Sequence, residues 1–128
     1  MHGASSMNQL AEQLKKRTKQ FALDVIRFVC ALPRTPAADV MGRQLLKSGT
    51  SVAANYRSAC RSRSHAEFAA RIGVVHEEAD ESELWLELFV ESKLKDVVVP
   101  ASLTQESHEL RAIFTQSSIT ANRRKIRQ

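Results

Sequence analysis

The chain is poor in residues that punctuate or staple a fold. Four glycines and three prolines in 128 residues are too few for a many-stranded sandwich or barrel, whose turns recur every ~8 to 12 residues. The two cysteines, Cys30 and Cys60, exclude a disulfide framework and a four-cysteine zinc site, and read as small, reduced apolar fillers. Aromatic residues amount to 5%, which argues against a protein that reads single strands by stacking their bases. No apolar run approaches the ~18 to 20 residues that span a bilayer. The opening Met1 to Ser6 carries no charged segment followed by an apolar one, so no export leader is read here. The expectation is a soluble cytoplasmic protein with no membrane role.

What is present is ordinary globular material: 43% apolar and 26% charged residues, enough for one domain with one core. Apolar residues recur at helical spacing in four stretches, and nothing alternates with period two for long enough to make a strand. Val97 to Val99, followed by Pro100, reads as a connector.

The first helix is expected from about Asn8 to Leu32, with Leu10, Leu14, Phe21, Val25, Phe28 and Leu32 inward, and Pro33 to Pro36 ends it. The second runs from about Ala37 to Cys60, with Met41, Leu45, Val52, Tyr56 and Ala59 inward. Gly49 within it costs about 1 kcal/mol against Ala, which points to a close helix approach, a local kink or a tolerated surface glycine. The third opens on a capping box at Ser64 and Glu67. It continues to about Leu94 with Phe68, Ile72, Val75, Ala79, Leu86, Phe89 and Val90 inward. The fourth starts at Ser102 and uses Leu103, Leu110, Ile113, Phe114 and Ala121. Short connections between four long helices predict an all-α, antiparallel up-and-down four-helix bundle. The bundle is expected over residues 8–122, between a flexible segment 1–7 and a basic tail 123–128.

Charge is strongly segregated. Residues 1–63 carry eleven Lys and Arg against three acidic residues, residues 64–96 carry three against nine, and residues 97–128 carry five against two. On the second helix Arg43, Lys47, Arg57 and Arg61 form a basic ridge opposite Val52 and Tyr56. Arg123, Arg124, Lys125 and Arg127 add a basic tail. On the third helix Asp80, Glu83, Glu87 and Glu91 form an acidic stripe, and Glu78 and Glu81 flank the apolar patch that holds Trp85. Either the stripes pair within or between subunits, or the ridge meets phosphates and gains affinity by counterion release.

Two apolar surfaces remain once the core is assigned. Leu23, Ile26 and Cys30 lie opposite the core face of the first helix. Val74, Leu84, Trp85 and Leu88 form a second stripe on the third. Monomers rarely leave such patches wet, so these seven residues are the candidate oligomer interface. Asn55, at the edge of an apolar face, reads as a hydrogen-bonded, half-buried residue.

No catalytic grouping emerges. None of His2, His65, His76 or His108 has the glutamate three residues earlier that a di-iron bundle requires, and the stretch around Gly42 and Gly49 lacks a P-loop ending. His76, Asp80 and Glu83 share one side of the third helix, but an exposed acidic face explains them equally well. The expectation is no enzyme, no metal and no cofactor.

The run Leu45-Leu46-Lys47-Ser48-Gly49-Thr50-Ser51-Val52-Ala53-Ala54-Asn55-Tyr56-Arg57 is followed by Ser64-His65-Ala66-Glu67-Phe68, by Glu78-Ala79-Asp80-Glu81-Ser82-Glu83-Leu84-Trp85-Leu86-Glu87-Leu88 and by Glu109 to Phe114. Together these resemble a bacterial four-helix-bundle family often named after intervening sequences in large-subunit ribosomal RNA genes. The resemblance spans about Phe21 to Asn122. It implies an antiparallel bundle assembled into a ring-like homopentamer, and no established catalytic activity. A related branch, the accessory variability determinants of diversity-generating retroelements, is a basic pentamer that binds nucleic acid and a reverse transcriptase. The sequence departs from the family pattern at Ser58, where an acidic residue is common, and at Glu77, where a lysine is common. The expected partners are other copies of the chain, RNA or DNA, and alternatively a protein.

Overall fold

A computed structural model describes the backbone of residues 2–127 and the side chains of residues 6–124. It holds four helices and, among the described residues, no strand: α1 (His2–Cys30), α2 (Pro36–Ala59), α3 (His65–Ser92) and α4 (Ala101–Arg127). α1 is helical from His2 and α4 continues to Arg127. The terminal segments read as lying outside the bundle therefore extend its first and last helices.

Local chemistry sets the boundaries between the helices. Thr35 caps α2, its side chain accepting the Ala38 N–H, and Pro36 opens the helix where no N–H is needed. Ser64 caps α3 by accepting the Glu67 N–H at 3.1 Å, but Glu67 takes the N–H of Arg63 at 3.0 Å, so the box is displaced by one residue. α3 ends at Lys93 in the left-handed region, φ 50°. Ser102 does not start α4. The Pro100 carbonyl accepts from Leu103 and Thr104 and the helix begins at Ala101.

α2 packs against α1 on one side and α3 on the other, and α3 packs against α4; α1 and α4 meet only lightly. The core is one layer of side chains from all four helices, including Phe21 and Val25, Leu45 and Val52, Ile72 and Leu86, and Leu110 and Phe114. Phe28 meets Phe89 edge to face at 5.1 Å, and Tyr56 meets Phe114 at 5.3 Å. Gly49 marks a close approach, since a Cβ there would stand 3.0 Å from Val25 Cγ2. On the other flank of α2, the hydroxyls of Ser48 and Ser82 lie 2.9 Å apart in the interior, and their small volume brings α2 and α3 together.

Two residues expected inward are not. Leu10 is 56% exposed because it borders the lightly closed seam between α1 and α4. Val90 is 49% exposed, since Leu86 and Phe89 take the inward directions and leave it at the edge facing α4. Trp85 is half-buried and packs against the core.

Candidate nucleic-acid interface

Arg43, Lys47 and Arg57 stand exposed on α2, and Arg61 stands exposed in the turn that follows it. From Arg43 to Arg57 the ridge runs about 21 Å at the α-helical rise. None of the four makes an ion pair among the described residues.

α1 completes the surface in a way the spacing along α2 did not reveal. Lys15 and Lys19 join Arg57 and Arg61 around a groove of about 470 Å³ floored by Thr50, Ala53 and Ala54. The antiparallel register does this: Val25 lies on Gly49 and Leu32 lies by Gly42, so about two to three turns back along α1 the two lysines come level with the end of α2. Their separation of four residues and the short connector were the available signals. Lys15 is paired with Glu12 at 2.9 Å, while Lys19 has no ion pair among the described residues. The floor is small, with Thr50 Oγ1 donating to the Leu46 carbonyl at 2.7 Å, so a phosphate backbone can come close. No aromatic side chain lines the groove.

The remaining ridge residues lie apart from it. Arg43 borders a shallow depression at the far end of α2, beside Arg34 and Asp39, which pair with each other at 3.2 Å. Lys47 faces α3, where its charge partly offsets the burial and the Glu81 repulsion that raise the Glu78 carboxyl above its ordinary range. Arg123 and Arg124 are exposed on α4. The side chains of Lys125 and Arg127 lie outside the described residues.

The acidic stripe of α3 does not meet the ridge within one chain. Glu83 instead accepts from Arg111 Nε and His108 Nδ1 of α4, each at 2.9 Å. Arg17 joins α1 to Glu106 and Glu109 of α4, and these hydrogen bonds hold its guanidinium more firmly protonated. Arg71 donates to Ser58 and pairs with Glu67. Arg17, Arg71 and Arg111 are thus engaged, whereas Arg43, Lys47, Arg57 and Arg61 make no ion pair among the described residues. Of His76, Asp80 and Glu83, Glu83 is turned to α4, and no cluster of three His, Cys, Asp or Glu able to hold a metal occurs among the described residues. Among the described residues, no helix is long and apolar enough to cross a membrane.

The candidate interface residues on α1 and α3 are exposed except Trp85: Leu23, Ile26, Cys30, Val74, Leu84 and Leu88 all face outward, Leu84 at 48%. Asn55 is half-buried and its amide donates to the Ser51 carbonyl at 2.9 Å.

The sequence pattern of the 23S rRNA-intervening sequence protein family matches residues 11–116. The chain belongs to this family. The matched span contains the whole groove and excludes Arg123 and Arg124. A crystal structure from the S23 ribosomal protein family, a protein of unknown function from Bacteroides thetaiotaomicron, is 28% identical and superposes with a TM-score of 0.71. The match covers 82% of this chain and 97% of that one. No curated protein matches the chain. Of the two departures from the family pattern, Ser58 now has a physical setting: it receives Arg71, and an acidic side chain there would face the same guanidinium.

Proposed function

We propose that this chain is a noncatalytic, homo-oligomeric bundle of the cytoplasm that binds RNA or other nucleic acid through its phosphate backbone. Lys15, Lys19, Arg57 and Arg61 line the contact surface, Arg43 and Lys47 extend it, and the basic residues Arg123, Arg124, Lys125 and Arg127 add nonspecific attraction. One observation carries this reading: two helices direct four cations into one small-floored groove, and among the described residues three of the four have no acidic partner. Desolvating a cation is costly, so a fold usually pairs those at its seams; leaving these exposed and adjacent suits a polyanion. The family's name supports RNA as the class. The absence of aromatics from the groove favours recognition of shape and backbone over base stacking.

The apolar stripes Leu23, Ile26 and Cys30 and Val74, Leu84, Trp85 and Leu88 form the contacts between copies, in the homopentamer that family resemblance implies. They also favour a second reading, a structural or adaptor oligomer that binds a protein and has no nucleic-acid role. One salt titration separates the two. RNA affinity should fall steeply with added salt, and Arg57→Ala/Arg61→Ala should flatten the slope of log K against log salt by about 2 per engaged chain. Light scattering on the same material should give the mass of several chains. An absence of binding at low salt, or an unchanged slope in the double variant, leaves the adaptor reading standing.

A further inference from the structure

The seam between α3 and α4 holds a crevice of about 300 Å³ that the nucleic-acid reading does not use. Its floor is apolar, with Leu86 buried and Val90 half-exposed, and its rim is acidic. Glu83 on that rim is already held by Arg111 and His108. Glu87 and Glu91 have no ion pair among the described residues, and as residues four apart they stand one helical turn from each other, about 6 Å along the axis.

A second, independent feature points to a ligand. Ser107 lines the same crevice, is 2% exposed, and its Oγ has no hydrogen-bond partner among the described residues. Other hydroxyls of these helices, those of Thr18, Thr50, Ser82, Thr115 and Ser117, donate to the carbonyl one turn back. A buried, unsatisfied hydroxyl is costly in the free protein and becomes favourable when a ligand supplies its partner.

The chemistry of the ligand follows from the lining. The charge demands a cation. A hard metal dication needs several converging oxygen ligands, and no cluster able to hold a metal occurs among the described residues. The apolar floor calls for methylene groups, and two free carboxylates a turn apart call for two positive charges joined by a short alkyl chain. We propose that this crevice binds a linear aliphatic polyamine: its methylenes lie on Leu86 and Val90, neighbouring ammonium groups meet Glu87 and Glu91, and one of them donates to Ser107 Oγ.

Calorimetric titration of the full chain, free of RNA, tests this with spermidine, putrescine, butylamine and magnesium chloride. Spermidine should bind saturably at one per chain, and Glu87→Gln/Glu91→Gln should weaken it by about tenfold or more, as expected for lost charged hydrogen bonds. Putrescine should bind more tightly than butylamine, which lacks the second ammonium. Ser107→Ala should weaken spermidine several-fold while the denaturant midpoint of the free protein holds or rises. Four results overturn the proposal: unchanged affinity in the double glutamine variant, equal binding of butylamine and putrescine, displacement by magnesium at matched ionic strength, or a midpoint that falls with Ser107→Ala. None of these readouts involves nucleic acid, so the proposal fails or stands apart from the RNA reading.

Discussion

The seam between α1 and α2 and the seam between α3 and α4 are built from the same ingredients to opposite ends. Both join antiparallel helices through apolar residues, and both carry charges a turn apart along one helix. In α1 and α2 the apolar contact closes tightly over Gly49, and the charges of Arg57 and Arg61 lie outside it, unpaired among the described residues. In α3 and α4 the charge of Glu83 sits at the seam and is taken up by Arg111 and His108, beside a crevice smaller than the α1–α2 groove. Glu83 and Arg17 reach oppositely charged groups on a neighbouring helix and are absorbed by the fold. Arg57 and Arg61 meet like charges across the α1–α2 groove and stay unpaired among the described residues.

Overfilling the first seam should break the comparison most. Gly49→Leu drives a branched side chain into the fully buried Val25, already 3.0 Å from where a Cβ would begin. It should cost about 3 kcal/mol by overpacking, read as a lower denaturant midpoint. Gly73→Leu on α3 is the control, because nothing lies within 4 Å of its Cβ position; it should hold or gain stability through helix propensity. Equal losses at the two sites would mean that Gly49 does not mark a close approach.

Removing charge gives a smaller contrast. Glu83→Gln weakens both contacts to α4, and its side chain is only 16% exposed, so a loss of about 1 to 2 kcal/mol is expected. Arg57→Gln on the open ridge should stay within about 0.5 kcal/mol while weakening RNA binding. A ridge variant that destabilised as much as the seam variant would reveal a structural role for Arg57.

The helices were legible because their apolar residues recur at 3.6 spacing, and the start of α3 was legible in Ser64 and Glu67. Each of those signals is local. The misplacement of Leu10 has a different origin: α1 and α4 are the two helices of the bundle that no connector joins, and no local pattern specifies how firmly they close. Val90 failed for a narrower reason, since it lies one residue beyond the inward Phe89 and the width of a buried stripe depends on the neighbour. For the candidate site, the α2 ridge could be read from one helix, and Asn55 was placed correctly from its position at the edge of an apolar face. Lys15 and Lys19 required the register between two helices. The partner of Glu83 required knowing that the acidic stripe faces α4, and the unsatisfied hydroxyl of Ser107 required the side-chain packing itself.

The smallest expected effect compares two carboxylates on α3 that titrate in opposite senses. Glu67, at the helix start, is held below its ordinary 4.5 first by the Arg63 N–H and then by Arg71. Its contribution to stability is present above the unfolded value and is lost as pH falls through the lowered one. Glu78 is raised above 4.5 by burial and by Glu81, so its contribution is present below the unfolded value and is lost as pH rises through the raised one. Glu78→Gln should therefore leave the protein at least as stable as the parent at neutral pH and bring no such gain in acid. Glu67→Gln should show its deficit at neutral pH and lose it in acid, with a small amplitude because glutamine still accepts the Arg63 N–H. Denaturant midpoints of both variants at neutral pH and in acid check the pair. If both variants lost stability at neutral pH, Glu78 would be a satisfied carboxylate whose pairing with Lys47 outweighs its burial.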